Sequence, residues 1–268
     1  MTGQSPSATG STRASRISPA SGSFAQGTPL LNRDHLIIAV SIVALTAISW
    51  ANLMSTTSGV HSHTVAQPYA LGAATWTVMM IGMMAPSALP FLTTFAVMAR
   101  RRGGGNPLLL TSMFLLGYLL VWTGFSAIAA AVQLALHAMS LLSHKSASLS
   151  PFLGGALLIA AGVFQWTPAK HACLRNCRSP LGFLISEWRD GLGGACRMGL
   201  VHGAFCVGCC WLLMLLPFAA GVMNLGWMLA ITVFVLLEKA LPAGDMLARA
   251  GGAVLAGYGA WMIWSTYN

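Results

Sequence analysis

Seven apolar runs, at about 34–54, 71–98, 107–138, 151–167, 198–220, 225–241 and 246–265, dominate this chain and leave little polar surface between them. A helix needs roughly 20 residues to cross a bilayer, and these runs are of that order. Only 7% of the 268 residues are charged and 56% are hydrophobic, whereas a soluble domain carries about 25% charged residues. Such a chain cannot cover a water-exposed surface. The expectation is an all-α fold, a polytopic membrane helical bundle of about seven transmembrane helices. The third run is long enough to tilt, and the fourth and sixth are short.

The net charge of +9 does not point to nucleic acid, because the basic residues sit in connections between apolar runs. Lys and Arg alternate along the chain. Arg13, Arg16 and Arg33 precede the first run, and residues 55–70 have none. Arg100, Arg101 and Arg102 follow the second run, and 139–150 carries only Lys145. Lys170, Arg175, Arg178, Arg189 and Arg197 fill the next connection. None lies near Gly221–Leu225, and Lys239 and Arg249 mark the last connection. The positive-inside rule then puts the N-terminus in the cytoplasm and the C-terminus outside.

Residues 1–33 are rich in Ser, Thr, Gly and Pro and are expected to form a disordered tail without a cleavable signal. Residues 34–268 form the membrane domain. Within it, 168–197 is the one sizeable cytoplasmic connection. Ser179-Pro180 reads as a helix start. Leu181, Leu184, Ile185, Trp188 and Leu192 then recur at helical spacing, which predicts an amphipathic helix on the inner membrane surface.

Polar metal ligands are costly in lipid, so a group of them inside an apolar run marks a functional site. The fifth run contains His202, Cys206, Cys209 and Cys210. At 100° per residue, Cys206 lies at roughly +40° from His202, Cys209 at roughly −20° and Cys210 at roughly +80°. Met198 lies at roughly −40° on the same face. Thiolate and thioether favour Cu(I), with zinc the second candidate ion. One straight helix cannot wrap an ion, so a ligand from another span is expected. Buried cysteines are otherwise ordinary small core residues.

The second run contains Met79, Met80, Met83 and Met84 ahead of Pro86 and Pro90. The methionines pair at i, i+4, and each proline frees a carbonyl one turn earlier. They read either as thioether ligands facing the cysteines or as fillers of a kinked helix. His171, Cys173 and Cys177 form a second candidate soft-metal site on the cytoplasmic side. His61, His63 and His144 are outer-side candidates, though solvated loop histidines are commoner. Glu238 is either an interfacial residue or a group orienting His202, with Arg197, Lys239 or His202 as its candidate partner.

Several motifs occur together in order: Trp76 through Pro90, Thr167-Pro168 with Lys170, Cys173-Leu174 to Cys177-Arg178, Trp188-Arg189-Asp190-Gly191, and Arg197-Met198-Gly199 with His202-Gly203. They continue in Cys206-Val207-Gly208-Cys209-Cys210-Trp211, Gly221-Val222-Met223-Asn224 and Glu238-Lys239. Over about 70–260 the chain resembles a bacterial family of predicted metal-binding integral membrane proteins, domain of unknown function 2182. Some members of that family are labelled copper chaperones. The resemblance implies metal binding in a bacterial inner membrane.

The favoured reading is a membrane protein that binds Cu(I) for transport, storage or delivery. Its partners would be the lipid bilayer and a metal-donor or metal-acceptor protein or membrane complex, with no nucleic acid. No catalytic residue is assigned, and a non-enzymatic role fits better than an enzymatic one. A second reading is a thiol–quinone oxidoreductase using the Cys206–Cys209 pair. The outer loops lack cysteine to relay electrons, which counts against it. A third is an assembly or structural subunit of a larger membrane complex, suited by Gly-rich spans.

Overall fold

The computed structural model describes residues 29–58, 68–103, 105–142, 148–222 and 224–267. Residues 1–28, most of the expected tail, lie outside them, as do His61, His63 and His144. The described residues are predominantly helical and contain no strand longer than a single bridge. The helices are α1 (Pro29–Ser58), α2 (Tyr69–Arg102), α3 (Pro107–Ala138), α4 (Pro151–Phe164), α5 (Pro168–Arg178), α6 (Pro180–Glu187), α7 (Gly191–Leu215), α8 (Pro217–Ala220), α9 (Leu225–Ala240) and α10 (Gly244–Trp264).

Proline and capping side chains set the starts. Pro107, Pro151 and Pro168 open α3, α4 and α5, where a missing N–H costs nothing. The side chains of Asn106, Ser150 and Thr167 accept from the backbone N–H groups of Leu108, Leu153 and Lys170 at 3.0, 3.5 and 3.4 Å. Helix α2 ends at Gly103, whose φ of 68° is left-handed.

Four helical segments are long and apolar enough to cross a membrane: Arg33–Ser55, Tyr69–Arg102, Pro107–Ala138 and Gly191–Ala220. A fifth arises if α4 and α5, bent by 66°, count as one. The expected count of about seven is therefore not reproduced by length and composition. Helices α4 and α9 have 14 and 16 residues. At about 1.5 Å per residue they fall short of a hydrocarbon core about 30 Å thick. Helix α10 is longer but carries Asp245 and Arg249 and is rich in glycine.

The connection 168–197 differs from the expected surface helix. It divides into α5 and α6, and α5 packs against α7 with Lys170, Leu174 and Cys177 buried. Helix α6 starts at Pro180 as expected, but it buries Phe183 and Leu184 and leaves Leu181 and Ile185 60% and 69% exposed. The apolar residues do not form one stripe because the helix ends at Glu187. Trp188 is extended, stacks on Phe95 with ring centroids 5.4 Å apart, and carries the Arg102 guanidinium over its own ring. Leu192 already belongs to α7.

Small residues bring the helices close. The main interface is α3 against α7. A Cβ on Gly199 would lie 1.9 Å from the Phe114 carbonyl oxygen, and one on Gly117 would lie 2.1 Å from that of Cys196. Only glycine permits this backbone-to-backbone approach. Helices α4 and α10 pair in the same way, Gly155 against Gly259 and Gly162 against Gly252. The seven-residue spacing on both helices keeps these glycines on one face.

Helix α1 covers α2, fixed at one end by an Arg100–Asp34 ion pair. In its middle, Trp50 Nε1 donates to the Gly82 carbonyl at 3.3 Å. That carbonyl stands four residues before Pro86, which has no N–H to offer it. The indole thus satisfies a main-chain acceptor that the proline leaves unpaired.

Candidate metal centre

The buried side of α7 carries Met198, His202, Cys206, Cys209 and Cys210, the face expected from helical spacing. None of the six cysteines is in a disulfide. The thiols of Cys209 and Cys210 each donate to the Cys206 carbonyl, at 3.1 and 2.9 Å. Cys206 Sγ lies instead 3.0 Å from Lys239 Nζ on α9 and 3.2 Å from the Tyr118 hydroxyl on α3.

Two of these partners also reach the methionine–proline span. Lys239 Nζ donates to Ser87 Oγ at 3.1 Å, and the Tyr118 hydroxyl donates to the Met84 carbonyl at 3.0 Å. Ser87 Oγ donates to the same carbonyl at 2.8 Å. The cysteine helix and the Met-Pro helix are thereby joined through α3 and α9. Met79, Met80, Met83 and Met84 are all buried, with at most 1% exposure. The bond that ties their span to Cys206 runs through main chain and hydroxyl groups.

His202 occupies an aromatic enclosure. Its ring stacks on Phe91 at 3.7 Å between centroids, with Phe114, Tyr118 and Phe183 at 5.9, 5.6 and 5.7 Å. It is buried, and Nδ1 has no hydrogen-bond partner among the described residues. An unpaired buried imidazole nitrogen is costly unless something binds it.

The second expected site does not assemble as a unit. His171 Nδ1 turns toward Asp245 of α10 at 3.5 Å, where Arg178 also approaches Asp245 at 3.3 Å. Cys173 packs on α7, with its sulfur 3.0 Å from where a Cβ on Gly208 would sit. Cys177 Sγ comes within 4.0 Å of Cys209 Sγ. A cysteine assigned to a separate cytoplasmic site therefore sits beside the cluster on α7. Burial of the apolar side of α5 against α7 is what brings it there.

Glu238 also differs from its expected pairing. Its carboxylate meets Lys170 Nζ at 2.6 Å, with 2% and 0% of the two side chains exposed. Arg197, Lys239 and His202, the partners considered from sequence, are not the one it takes. Neither atom of this ionic contact has another hydrogen-bond partner among the described residues. Successive residues of α9 thus face different neighbours: Glu238 meets α5 and Lys239 meets α7.

Lys239, Tyr118 and Ser87 were not singled out as site residues by sequence reasoning. Spacing reveals neighbours on one helix, and these three come from three others. Only the position of Lys239 beside an acidic residue in an apolar run was a signal.

Among the described residues, no three His, Cys, Asp or Glu side chains are gathered closely enough to hold an ion. The donor chemistry nevertheless suits a soft metal ion: thiols from α5 and α7, buried thioethers on α2, and an imidazole nitrogen without a partner among the described residues. The Cys209 and Cys210 thiols are held by the Cys206 carbonyl one turn back, and a change of χ1 would release them.

A family model described as copper chaperone, PpoB2, matches residues 73–262. No curated protein and no solved structure matches the chain.

Proposed function

The chain belongs to the PpoB2 copper-chaperone family, and from that premise we propose that it is an integral membrane protein binding Cu(I) as cargo for transport or delivery. Cys206 and Cys209 are the principal ligands, with Cys210, Cys177 and His202 able to complete or relay the coordination. Met79, Met80, Met83 and Met84 supply a thioether wall on the neighbouring helix. The observation that carries this reading is the 4.0 Å approach of Cys177 Sγ on α5 to Cys209 Sγ on α7. It brings thiols from two helices together, which a single apolar span cannot do.

Cu(I) moves between proteins by exchange of one thiolate ligand for another, since soft ligands bind it strongly yet substitute readily. A cluster with more thiols than the ion needs gives such exchange a path. Cys177, at the end of α5, marks the way out of the helix interior. The sequence carries no nucleotide-binding loop, and movement would be downhill or coupled to an ion gradient or a partner.

The membrane setting is supported by the outward-facing residues. Leu36, Val40, Val43 and Ile48 on α1, and Leu109, Leu116, Leu120 and Ile128 on α3, are exposed along helices long enough to span. A seven-span arrangement in a bacterial inner membrane, N-terminus inside and C-terminus outside, requires α4 and α9 to lie where the bilayer is locally thin or where neighbouring helices cover their ends.

Metal content of protein purified under reducing conditions tests the site. Wild type is expected to retain copper in stoichiometric amount, and Cys206→Ser/Cys209→Ser to lose it. Equal, near-zero copper in both proteins overturns the assignment. A Cys206–Cys209 disulfide reducible by quinol, with no copper retained, replaces it by the oxidoreductase reading.

A further inference from the structure

Lys239 is the charge that the copper reading does not use. Its Nζ lies 3.0 Å from Cys206 Sγ and 3.1 Å from Ser87 Oγ. The other ionic groups packed here, Lys170 and Glu238, neutralise each other at 2.6 Å. Tyr118 and His202 contribute polar atoms rather than fixed charge. Among the described residues, the cluster therefore carries one uncompensated positive charge, supplied by α9.

Cys206 is the thiol that this cation marks. Cys209 and Cys210 hold their sulfurs against the Cys206 carbonyl, whereas Cys206 Sγ faces the ammonium. A buried site is stable when its charges sum to zero, because each uncompensated charge in a low-dielectric interior is costly. Two thiolates and one ammonium leave a single negative charge. A monovalent ion brings that sum to zero. A divalent ion such as Zn(II) leaves the buried site with a net positive charge.

We propose that Lys239 is a valence filter: its ammonium beside Cys206 makes a two-thiolate site electroneutral with Cu(I) and positively charged with Zn(II), so monovalent soft ions are selected. This rests on the copper-site reading above. Lys239 acts through Cys206 and the site's charge, and is a specificity-determining residue rather than a ligand. Ser87 holds the ammonium from the far side, and the Tyr118 hydroxyl keeps Cys206 oriented toward it.

The test measures Cu(I) and Zn(II) binding to wild type, Lys239→Met, Lys239→Arg and Ser87→Ala in detergent, each metal alone against a chromophoric chelator. Lys239→Met is expected to weaken Cu(I) and strengthen Zn(II), moving the preference by about a hundredfold, the scale of one charge a few ångströms away at an effective dielectric of about 20. Lys239→Arg keeps the charge and is expected to keep the wild-type preference. Ser87→Ala loosens the ammonium and is expected to move the preference part of the way in the same direction. It gives an independent reading if Lys239→Met does not fold. A loss of both metals in proportion, or an unchanged ratio in folded Lys239→Met and Ser87→Ala, overturns the filter while leaving the copper site in place. Absence of Cu(I) binding in wild type instead overturns the site itself.

Discussion

At the scale of single residues, the interior contains polar groups whose costs differ. The Lys170–Glu238 pair has almost no exposure, so removing one partner strands a buried charge. Glu238→Gln is expected to destabilise the protein by about 3–5 kcal/mol, read as a lowered midpoint of denaturant unfolding in detergent. Replacing both, as in Lys170→Met/Glu238→Leu, is expected to recover most of that loss, because no charge is left unpaired. His202 makes the opposite case. Its Nδ1 has no partner among the described residues, and its ring already lies among Phe91, Phe114, Tyr118 and Phe183. His202→Phe is expected to leave thermal stability unchanged or raised while lowering copper retention. A fall in stability of the same order as a lost core contact would show the imidazole to be structural.

At the scale of elements, the Met-Pro helix depends on a neighbour. Pro86 leaves the Gly82 carbonyl unpaired, and Trp50 of α1 supplies the missing donor at 3.3 Å. Trp50→Phe is expected to cost about 1–3 kcal/mol, the price of an unsatisfied buried acceptor, beyond the small change in apolar volume. In a Pro86→Ala background the restored N–H can serve Gly82, and the same substitution is expected to cost less. That double-mutant cycle separates the hydrogen bond from packing. Helices α3 and α7 offer a harsher test. Gly199→Ala places a methyl 1.9 Å from the Phe114 carbonyl, so the two helices must separate. It is expected to abolish folded protein, judged by loss of a monodisperse peak on gel filtration, whereas Gly124→Ala on α3, with open space around it, is expected to be tolerated.

At the scale of the whole molecule, apolar side chains point outward as well as inward, and ionic groups inside the bundle are paired or set against thiols. The expected outcome is a protein that stays with membranes after alkaline carbonate washing. Reporter fusions are expected to place the N-terminus in the cytoplasm and the C-terminus outside. A C-terminal reporter active only in the cytoplasm would mean that α4 with α5, or α9, fails to cross. The helical class and most helix positions were legible because apolar runs and a proline start such as Ser179-Pro180 are local signals. The number of spans was less legible. An apolar run such as 151–167 does not reveal that its helix stops at Phe164 and bends away through Thr167-Pro168.

The sequence by itself determined that His202, Cys206, Cys209 and Cys210 share one helix face, because 100° per residue allows no other arrangement on an unbroken helix. It likewise placed four methionines within the two turns ahead of a proline break. Tertiary structure alone decided what that face meets. Cys177 comes to Cys209 because α5 buries its apolar side on α7, Lys239 comes to Cys206 because α9 crosses there, and Lys170 takes Glu238 before any partner suggested by sequence. Contacts along one helix follow from its geometry, whereas contacts between helices depend on how closely their backbones can approach. Here that distance is set by glycines such as Gly117 and Gly199, which carry no side chain to announce their partners.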